Sequence, residues 1–273
     1  MELSIIIPVH NDLRIKRCIE SIDENVEVIA SMNRPTQEIQ DLVKSLGIDS
    51  CTIDRCNLSM AYNVGMDTAT YNRVLFMDSD CVFTPGTISK LYEEMENNLE
   101  LKLCRGRVEF KYNSYETKLT QRARKVNTSD APFAFIPPLM LEKDVFGLID
   151  DGYRFAEDVV WCGDYEFELR RSKANIPLKI RHDATIIHEP ITMKSDFKSA
   201  FMYGTGKRIR HERTDEKVSL IEVLKYPIYE GLKKEGPLIA GYLALWKAVL
   251  YSGYYCQKYF DYQGRKGNRI DKK

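Results

Sequence analysis

The chain has 273 residues, enough for one large α/β domain or for one domain with a C-terminal appendage. Its apolar share of 44% and charged share of 29% are those of a globular protein and exclude wholesale disorder. The 40 basic and 40 acidic residues cancel, so no global field recruits nucleic acid and no nucleic-acid partner is expected.

Leu3-Ser4-Ile5-Ile6-Ile7-Pro8-Val9 reads as a core strand of parallel type, apolar on both faces, with Pro8 ending its ladder. Met1 leads directly into it, so no signal peptide is expected. Asn11 or Asp12 is placed to cap a helix from Leu13 to Glu24. A strand over Val26–Ala30, a turn at Asn33–Thr36, a helix over Gln37–Leu46 and a short strand at Cys51–Ile53 follow. A helix is expected within Asn57–Ala69, and next comes the apolar run Val74-Leu75-Phe76-Met77, a buried strand. Thr84-Pro85-Gly86-Thr87 opens a further helix, with Thr84 or Thr87 as its cap and Leu91 and Met95 inward. Strand and helix alternating with short loops are the signature of a mostly parallel central sheet with helices on both faces.

Leu101–Lys111 reads as one or two strands, Tyr112–Asn127 as polar and helical or irregular, and the proline-broken Ala131–Pro138 as a loop or edge strand. Phe146–Tyr153 is expected to be a loop. A helix over Asp164–Lys173 should turn Phe167 and Leu169 inward and leave Glu168, Arg170 and Arg171 nearer solvent. A strand over Lys179–Ile187 ends at His188. Leu220–Leu232 reads as an amphipathic helix. Leu238–Tyr255 is an apolar, aromatic run with Lys247 at its middle, for which a docked or interface-lying helical hairpin is expected over a true membrane span. The tail from Gln263, rich in Lys and Arg, is expected to be disordered. The 7 cysteines include no C-x₂-C pair, which argues against a zinc ribbon and for reduced thiols in a cytosolic protein.

The chemistry concentrates at Asp78-Ser79-Asp80, where the strand runs out of hydrophobic cover. Ligands bind at the carboxyl edge of such sheets, and two carboxylates at i and i+2 suit a hard cation such as Mg²⁺ or Mn²⁺. The same letters also make an ordinary strand followed by an acidic turn.

Several stretches then fall into one order. Ser4–Asn11, Asn57–Gly65, Val74–Asp80, Gly163–Arg170 and Lys179–Glu189 together resemble the opening strand, asparagine-rich helix, D-x-D strand, E-D helix and His-ending strand of family 2 glycosyltransferases. The resemblance covers residues 1–215 and implies a GT-A fold there; the residue pattern beyond it gives a C-terminal helical region over 216–262, for which peripheral membrane contact is one expectation, and the basic tail over 263–273. It implies inverting transfer of a sugar from a UDP- or GDP-linked donor to a glycan, lipid-linked or protein acceptor, at the cytoplasmic side. Asp78, Asp80 and His188 would hold Mn²⁺ or Mg²⁺. Asp164 would be the base, with Glu166, Glu157 and Asp158 as alternatives. The donor would lie against Pro8, Val9, His10, Asn11, Asn33, Asn63, Asp78 and Ser79, and a flexible loop at Tyr203–Arg210 would close over it with Lys207 or Arg208.

Two departures stand out. Gly163 replaces the first acid of the E-D pair, and Ala30–Thr36 lacks the acid that usually contacts the base, leaving Asn33 or Arg34 to take its place. Two rival readings stay open: a nucleotidyltransferase on the same sheet, against which the lack of a Gly-rich phosphate loop argues, and a degenerate sugar-nucleotide-binding scaffold.

Overall fold

The structure is a computed structural model and describes residues 1–149, 153–214 and 227–263. The chain forms two compact units. The first comprises Met1–Glu109, Pro132–Glu157 and Gly163–His188, and the second Phe110–Ala131, Asp158–Cys162 and Glu189–Lys273.

The first unit is built on strands β1 (Ser4–Val9), β2 (Glu27–Asn33), β3 (Asp49–Ile53), β4 (Arg73–Phe76), β5 (Cys81–Phe83), β6 (Leu103–Phe110), β7 (Leu139–Glu142) and β8 (Lys179–His188). Their order in the sheet is β3-β2-β1-β4-β7-β6-β8-β5. The parallel half lies where the pattern predicted it, with β1 pairing β2 and β4, and β2 pairing β3. Beyond β4 the sheet continues antiparallel, through β4 with β7 and β6 with β7, and β5 pairs β8 in the same sense. The helices α1 (Ile15–Glu20), α2 (Gln37–Ser45), α3 (Leu58–Thr68), α4 (Thr87–Glu96) and α6 (Gly163–Lys173) belong to this unit, and α5 (Tyr115–Arg124) to the other.

Burial explains β1: all six residues are buried, as two-sided cover requires of a central parallel strand. Pro8 does not end the ladder, which runs on to Val9 against Met32. Pairing with β4 stops at Ile6 opposite Phe76, and the Ile6 carbonyl accepts the Met77 N–H at 3.1 Å. Alternation puts Pro8 on that same edge, beyond the last β4 partner, where its missing N–H leaves no gap. The register brings the end of β4 to the middle of β1 and leaves Asp78-Ser79-Asp80 as a turn closed by Cys81 N–H to the Asp78 carbonyl at 3.2 Å.

Three local expectations need correction. Helix α1 is shorter than Leu13–Glu24, and Asp12 binds the Arg14 backbone N–H at 3.0 Å while Arg14 itself stands at the N-cap. The cap of α4 is Gly86, at φ 73°, and not a threonine: the Thr84 and Thr87 hydroxyls donate to the Thr185 carbonyl of β8 at 3.0 and 2.6 Å. In α6, Glu168 is buried, bonding the Ala134 N–H at 2.9 Å and paired with Arg171 at 2.7 Å, while Leu169 is only half-buried. The helix expected within Asn57–Ala69 is α3, which Asn57 caps by accepting from the Met60 N–H at 3.0 Å. Strand β7 had no forecast, because its four residues follow a proline run too closely for a period to show.

The core of this unit is aromatic. Tyr62, Phe76, Phe155 and Phe167 interlock with ring centroids 4.9 to 5.4 Å apart, under α3 and α6.

The second unit is helical: α5, a π-helical turn (Lys125–Ser129), α7 (Met193–Thr214), α8 (Ile228–Glu235) and α9 (Pro237–Phe260). Residues 189–214, which the sequence pattern groups with the first domain, pack here with the C-terminal helices. Arg124 and Asp196 form a buried ion pair, and the Tyr242 hydroxyl donates to Asp196 at 2.7 Å. The expected flexible loop at Tyr203–Arg210 is instead the middle of α7. Its glycines serve close packing and not hinge motion: a Cβ on Gly204 would stand 1.8 Å from the Leu250 carbonyl oxygen, and one on Gly206 2.0 Å from that of Trp161. Gln263 is buried, its N–H bonding Gln257 at 2.8 Å, and the rest of the expected tail, 264–273, lies outside the described residues, as do 220–226 of the amphipathic helix. Among the described residues no helix is long and apolar enough to cross a membrane.

Candidate functional site

The turn after β4 sends its two carboxylates in different directions. Asp80 faces His188, the last residue of β8, with Nε2 3.3 Å from Oδ2. The pairing of Cys81 with His188 across β5 and β8 fixes this approach. Arg14 reaches the same oxygen, Nη2 to Oδ2 at 3.5 Å, while its guanidinium grips Asp12 at 2.6 to 3.1 Å. Burial pushes the Asp80 carboxyl up, but the His188 hydrogen bond and charge, with Arg14, outweigh it and hold the group below the usual range. Asp80, Cys81 and His188 each offer an atom within 4.8 Å of the others. The Cys81 thiol is buried and pushed far up, chiefly by burial, so it stays a neutral neighbour. A carboxylate oxygen and an imidazole nitrogen at a half-buried rim fit Mn²⁺ or Mg²⁺, with water and phosphate oxygens filling the remaining positions.

Asp78 is not part of that cluster. Its Oδ1 accepts from the Tyr62 hydroxyl at 3.4 Å, and its carboxyl is pushed up to about 7, by burial first and then by the charge of Asp80, with Asp164 adding to it. Asp164 lies in the first turn of α6. Burial raises it to about 6, against the Tyr165 and Ile136 backbone N–H groups and the Arg105 charge, which lower it. Arg105 is fully buried, with its guanidinium 5.9 Å from the Phe135 ring. Phe133, Phe135 and Tyr165 cluster here, centroids 5.5 to 6.0 Å apart and all half-buried. A Cβ at Gly163, the family's first-acid position, would stand 2.3 Å from Ser59 Oγ, so a side chain there would require that hydroxyl to turn away.

The expected donor edge at the ends of β1 and β2 is a linked set. His10 Nδ1 lies 2.5 Å from the Asn33 carbonyl and Nε2 3.1 Å from Asn11 Nδ2, and Asn11 Oδ1 accepts the Thr36 N–H at 3.0 Å. Pro8 and Val9 are buried behind it, and His10 and Asn11 are exposed. Asn33 is buried, and its amide nitrogen, assigned by the network, donates to the Asn57 and Arg55 carbonyls at 3.1 and 3.3 Å, so it braces the loop before α3. Ser79 sits half-buried between the two acids.

Other expected site residues do structural work. Asn63 holds the 155–157 segment, exchanging bonds with Phe155 at 2.9 and 3.1 Å and donating to Glu157 at 2.9 Å. Glu166 is fully buried, bonded by the Tyr153 hydroxyl at 2.6 Å and paired with Arg170 at 3.0 Å, which removes it as a base. Asp158 pairs with Arg213 at 2.8 Å within the second unit. Lys207 and Arg208 donate to the Tyr251 and Tyr254 hydroxyls at 3.0 and 3.1 Å, also in that unit. Sequence reasoning missed Arg14, Tyr62, Arg105 and the Phe133–Phe135–Tyr165 group. Only Arg14, two residues past the Asn11-Asp12 turn, had a readable position.

A sequence profile described as glycosyl transferase family 2 matches residues 4–155, more than half of the chain. Among curated proteins none matches. Of solved structures, S. aureus TarS superposes with a TM-score of 0.55 at 14% identity, over 93% of this chain and 54% of that one, so the chain spans about half its length. TarS 1-349 in complex with UDP-GlcNAc gives 0.55 at 14% identity over 94% and 92% of the two chains. Glucosyl-3-phosphoglycerate synthase from Mycobacterium tuberculosis, in complex with Mn²⁺, UDP and phosphoglyceric acid, gives 0.56 at 14% over 80% of each. At such identity these likenesses carry the fold, which is GT-A. The profile match carries the family: the chain belongs to glycosyl transferase family 2.

Proposed function

We propose that the chain transfers a sugar with inversion from a nucleoside diphosphate donor to an acceptor hydroxyl, with a divalent cation at Asp80 and His188 and with Asp164 as base. The observation that carries the reading is the facing pair of Asp80 Oδ2 and His188 Nε2, 3.3 Å apart where β4 and β8 end. The cation would neutralise charge developing on the departing diphosphate. Asp80, held ionised, and His188 supply its protein ligands. Asp78, whose carboxyl is pushed up to about 7 by burial and by the charge of Asp80, suits a hydrogen bond to a donor hydroxyl better than a share of the ion. Asp164 takes the proton of the acceptor hydroxyl as that oxygen bonds to the sugar's anomeric carbon and the bond to the diphosphate breaks. UDP is the first nucleotide to try, because the TarS and synthase complexes contain it. Phe133, Phe135 and Tyr165 beside the base offer ring faces to a sugar, which favours a glycan acceptor.

Transfer assays with Mn²⁺ added and chelated test this. Loss of turnover on chelation, and in Asp80→Ala, is the expected result. Full activity in Asp80→Ala refutes the metal role. Donor binding with no transfer to any acceptor favours the scaffold reading. The C-terminal helices suggest a place of work: Leu238, Leu245, Tyr255 and Tyr259 are exposed along α9, with Lys233, Lys234 and Lys258 near its ends, a face suited to an anionic lipid interface. Co-sedimentation with anionic vesicles, lost in Leu245→Asp, is the test.

A further inference from the structure

We infer that Arg14 is the resident counter-cation of Asp80, and that it passes to the donor diphosphate once a divalent ion takes its place. The inference rests on the functional reading above and adds a leaving-group contact to it. Arg14 Nη2 and His188 Nε2 converge on one oxygen, Asp80 Oδ2, at 3.5 and 3.3 Å. The other oxygen, Oδ1, faces the Cys81 sulfur at 3.6 Å. Both Asp80 oxygens therefore have partners before any ion arrives, and a cation entering at Oδ2 meets the guanidinium there.

Arg14 is free to yield. Its side chain is about half exposed, at 47%, and it stays anchored through Asp12, which bonds both Nε and Nη2. Once displaced, it keeps that anchor and stands beside the ion. Phosphate oxygens bound to the ion then come within its neighbourhood, and a planar guanidinium is the side chain best matched to them. The two steps act in opposite directions. Next to the bare ion the Arg14 charge repels, and next to a diphosphate it attracts.

The test separates them with three proteins: wild type, Arg14→Gln and Arg14→Lys. Mn²⁺ affinity is read by electron paramagnetic resonance without nucleotide, and UDP affinity by calorimetry with Mn²⁺ saturating. Arg14→Gln is expected to bind Mn²⁺ alone about fivefold tighter and UDP about tenfold weaker. Arg14→Lys, which keeps the charge, is expected to hold both values closer to wild type. A melting curve checks that each variant is folded. Unchanged UDP affinity in Arg14→Gln overturns the inference, and so does weaker binding of Mn²⁺ alone. Mn²⁺ binding to wild type that survives Asp80→Ala unchanged removes the functional reading itself. The two failures are thus distinguishable.

Discussion

Replacing Gly204 by Ala tests whether Tyr203–Arg210 is a packed helix or a hinge. Inside a helix, Ala normally stabilises relative to Gly by about 1 kcal/mol. Here the sign should reverse. The added Cβ would lie 1.8 Å from the Leu250 carbonyl oxygen and 2.8 Å from the Tyr254 nitrogen, both backbone atoms of α9. Ordinary contact needs about 3.5 Å, so α7 and α9 must part by roughly 1.5 Å. That strips contact from Leu243, Trp246 and Leu250, which are buried in this helix cluster. Overpacking of this kind costs about 1–3 kcal/mol where side chains can shift, and backbone against backbone should sit at or above the top of that range. A net loss of about 3 kcal/mol, or roughly 13 °C in Tm for a unit of this size, is expected. The chain has 2 Trp residues, Trp161 and Trp246, both in the second unit, so tryptophan fluorescence during heating reports on that unit. Gly241→Ala is the control on α9, since nothing lies within 4 Å of its Cβ position, and it should gain about 0.5–1 kcal/mol. If Gly204→Ala melts at or above wild type while turnover falls, the packed-helix account is refuted and a hinge is the better description.

Four further outcomes are expected. The turnover rate should rise with pH through about 6 and then level, as Asp164 ionises, and Asp164→Asn should lower it by about 10²- to 10⁴-fold. The same variant should be at least as stable as wild type at pH 7.5: the folded carboxyl titrates at about 6 against 3.8 unfolded, so its contribution is full below about 4 and lost as pH rises through 6. Urea titrations at pH 4 and 7.5 check this, and a marked loss of stability in Asp164→Asn at the higher pH counts against it. Glu166→Gln should lose about 3 kcal/mol, because it leaves Arg170 facing a neutral partner, yet keep its turnover. A thousandfold drop in turnover of the folded variant would return Glu166 to the list of bases. Chelation should stop transfer reversibly, with Mn²⁺ restoring it, and transfer that persists in excess chelator refutes a metal at Asp80.

The parts of the molecule that sequence revealed are those where one residue type has one physical use. An unbroken run of buried aliphatics at Ile5-Ile6-Ile7 fits only a covered strand. His188 was expected at the end of its strand, and β8 does end on it. Residues with two uses misled. Asn63 and Glu166 carry groups that suit a ligand, but each finds its partners within the fold. Gly204 and Gly206 read as hinge points because glycine serves freedom and close approach alike, and only the position of α9 decides between them. The aromatic group at Phe133, Phe135 and Tyr165 joins a loop to a helix some 30 residues on, a distance no local pattern spans.

The two acids at i and i+2 have different electrostatic surroundings. Two ionised carboxylates at one dry rim repel, so a single ion-free fold cannot easily keep both charged. The turn after Phe76 resolves this by giving them different partners. Asp80 receives Arg14 and His188 and stays charged. Asp78 receives the Tyr62 hydroxyl and the field of two other acids, and is raised to about 7. Spacing on the chain announced a pair, whereas the bend at Cys81, where β5 joins β8 beside His188, gives each member its own neighbours. His188 lies more than a hundred residues after the acids, so the surroundings of two neighbouring carboxylates are decided by sheet order and not by the motif that contains them.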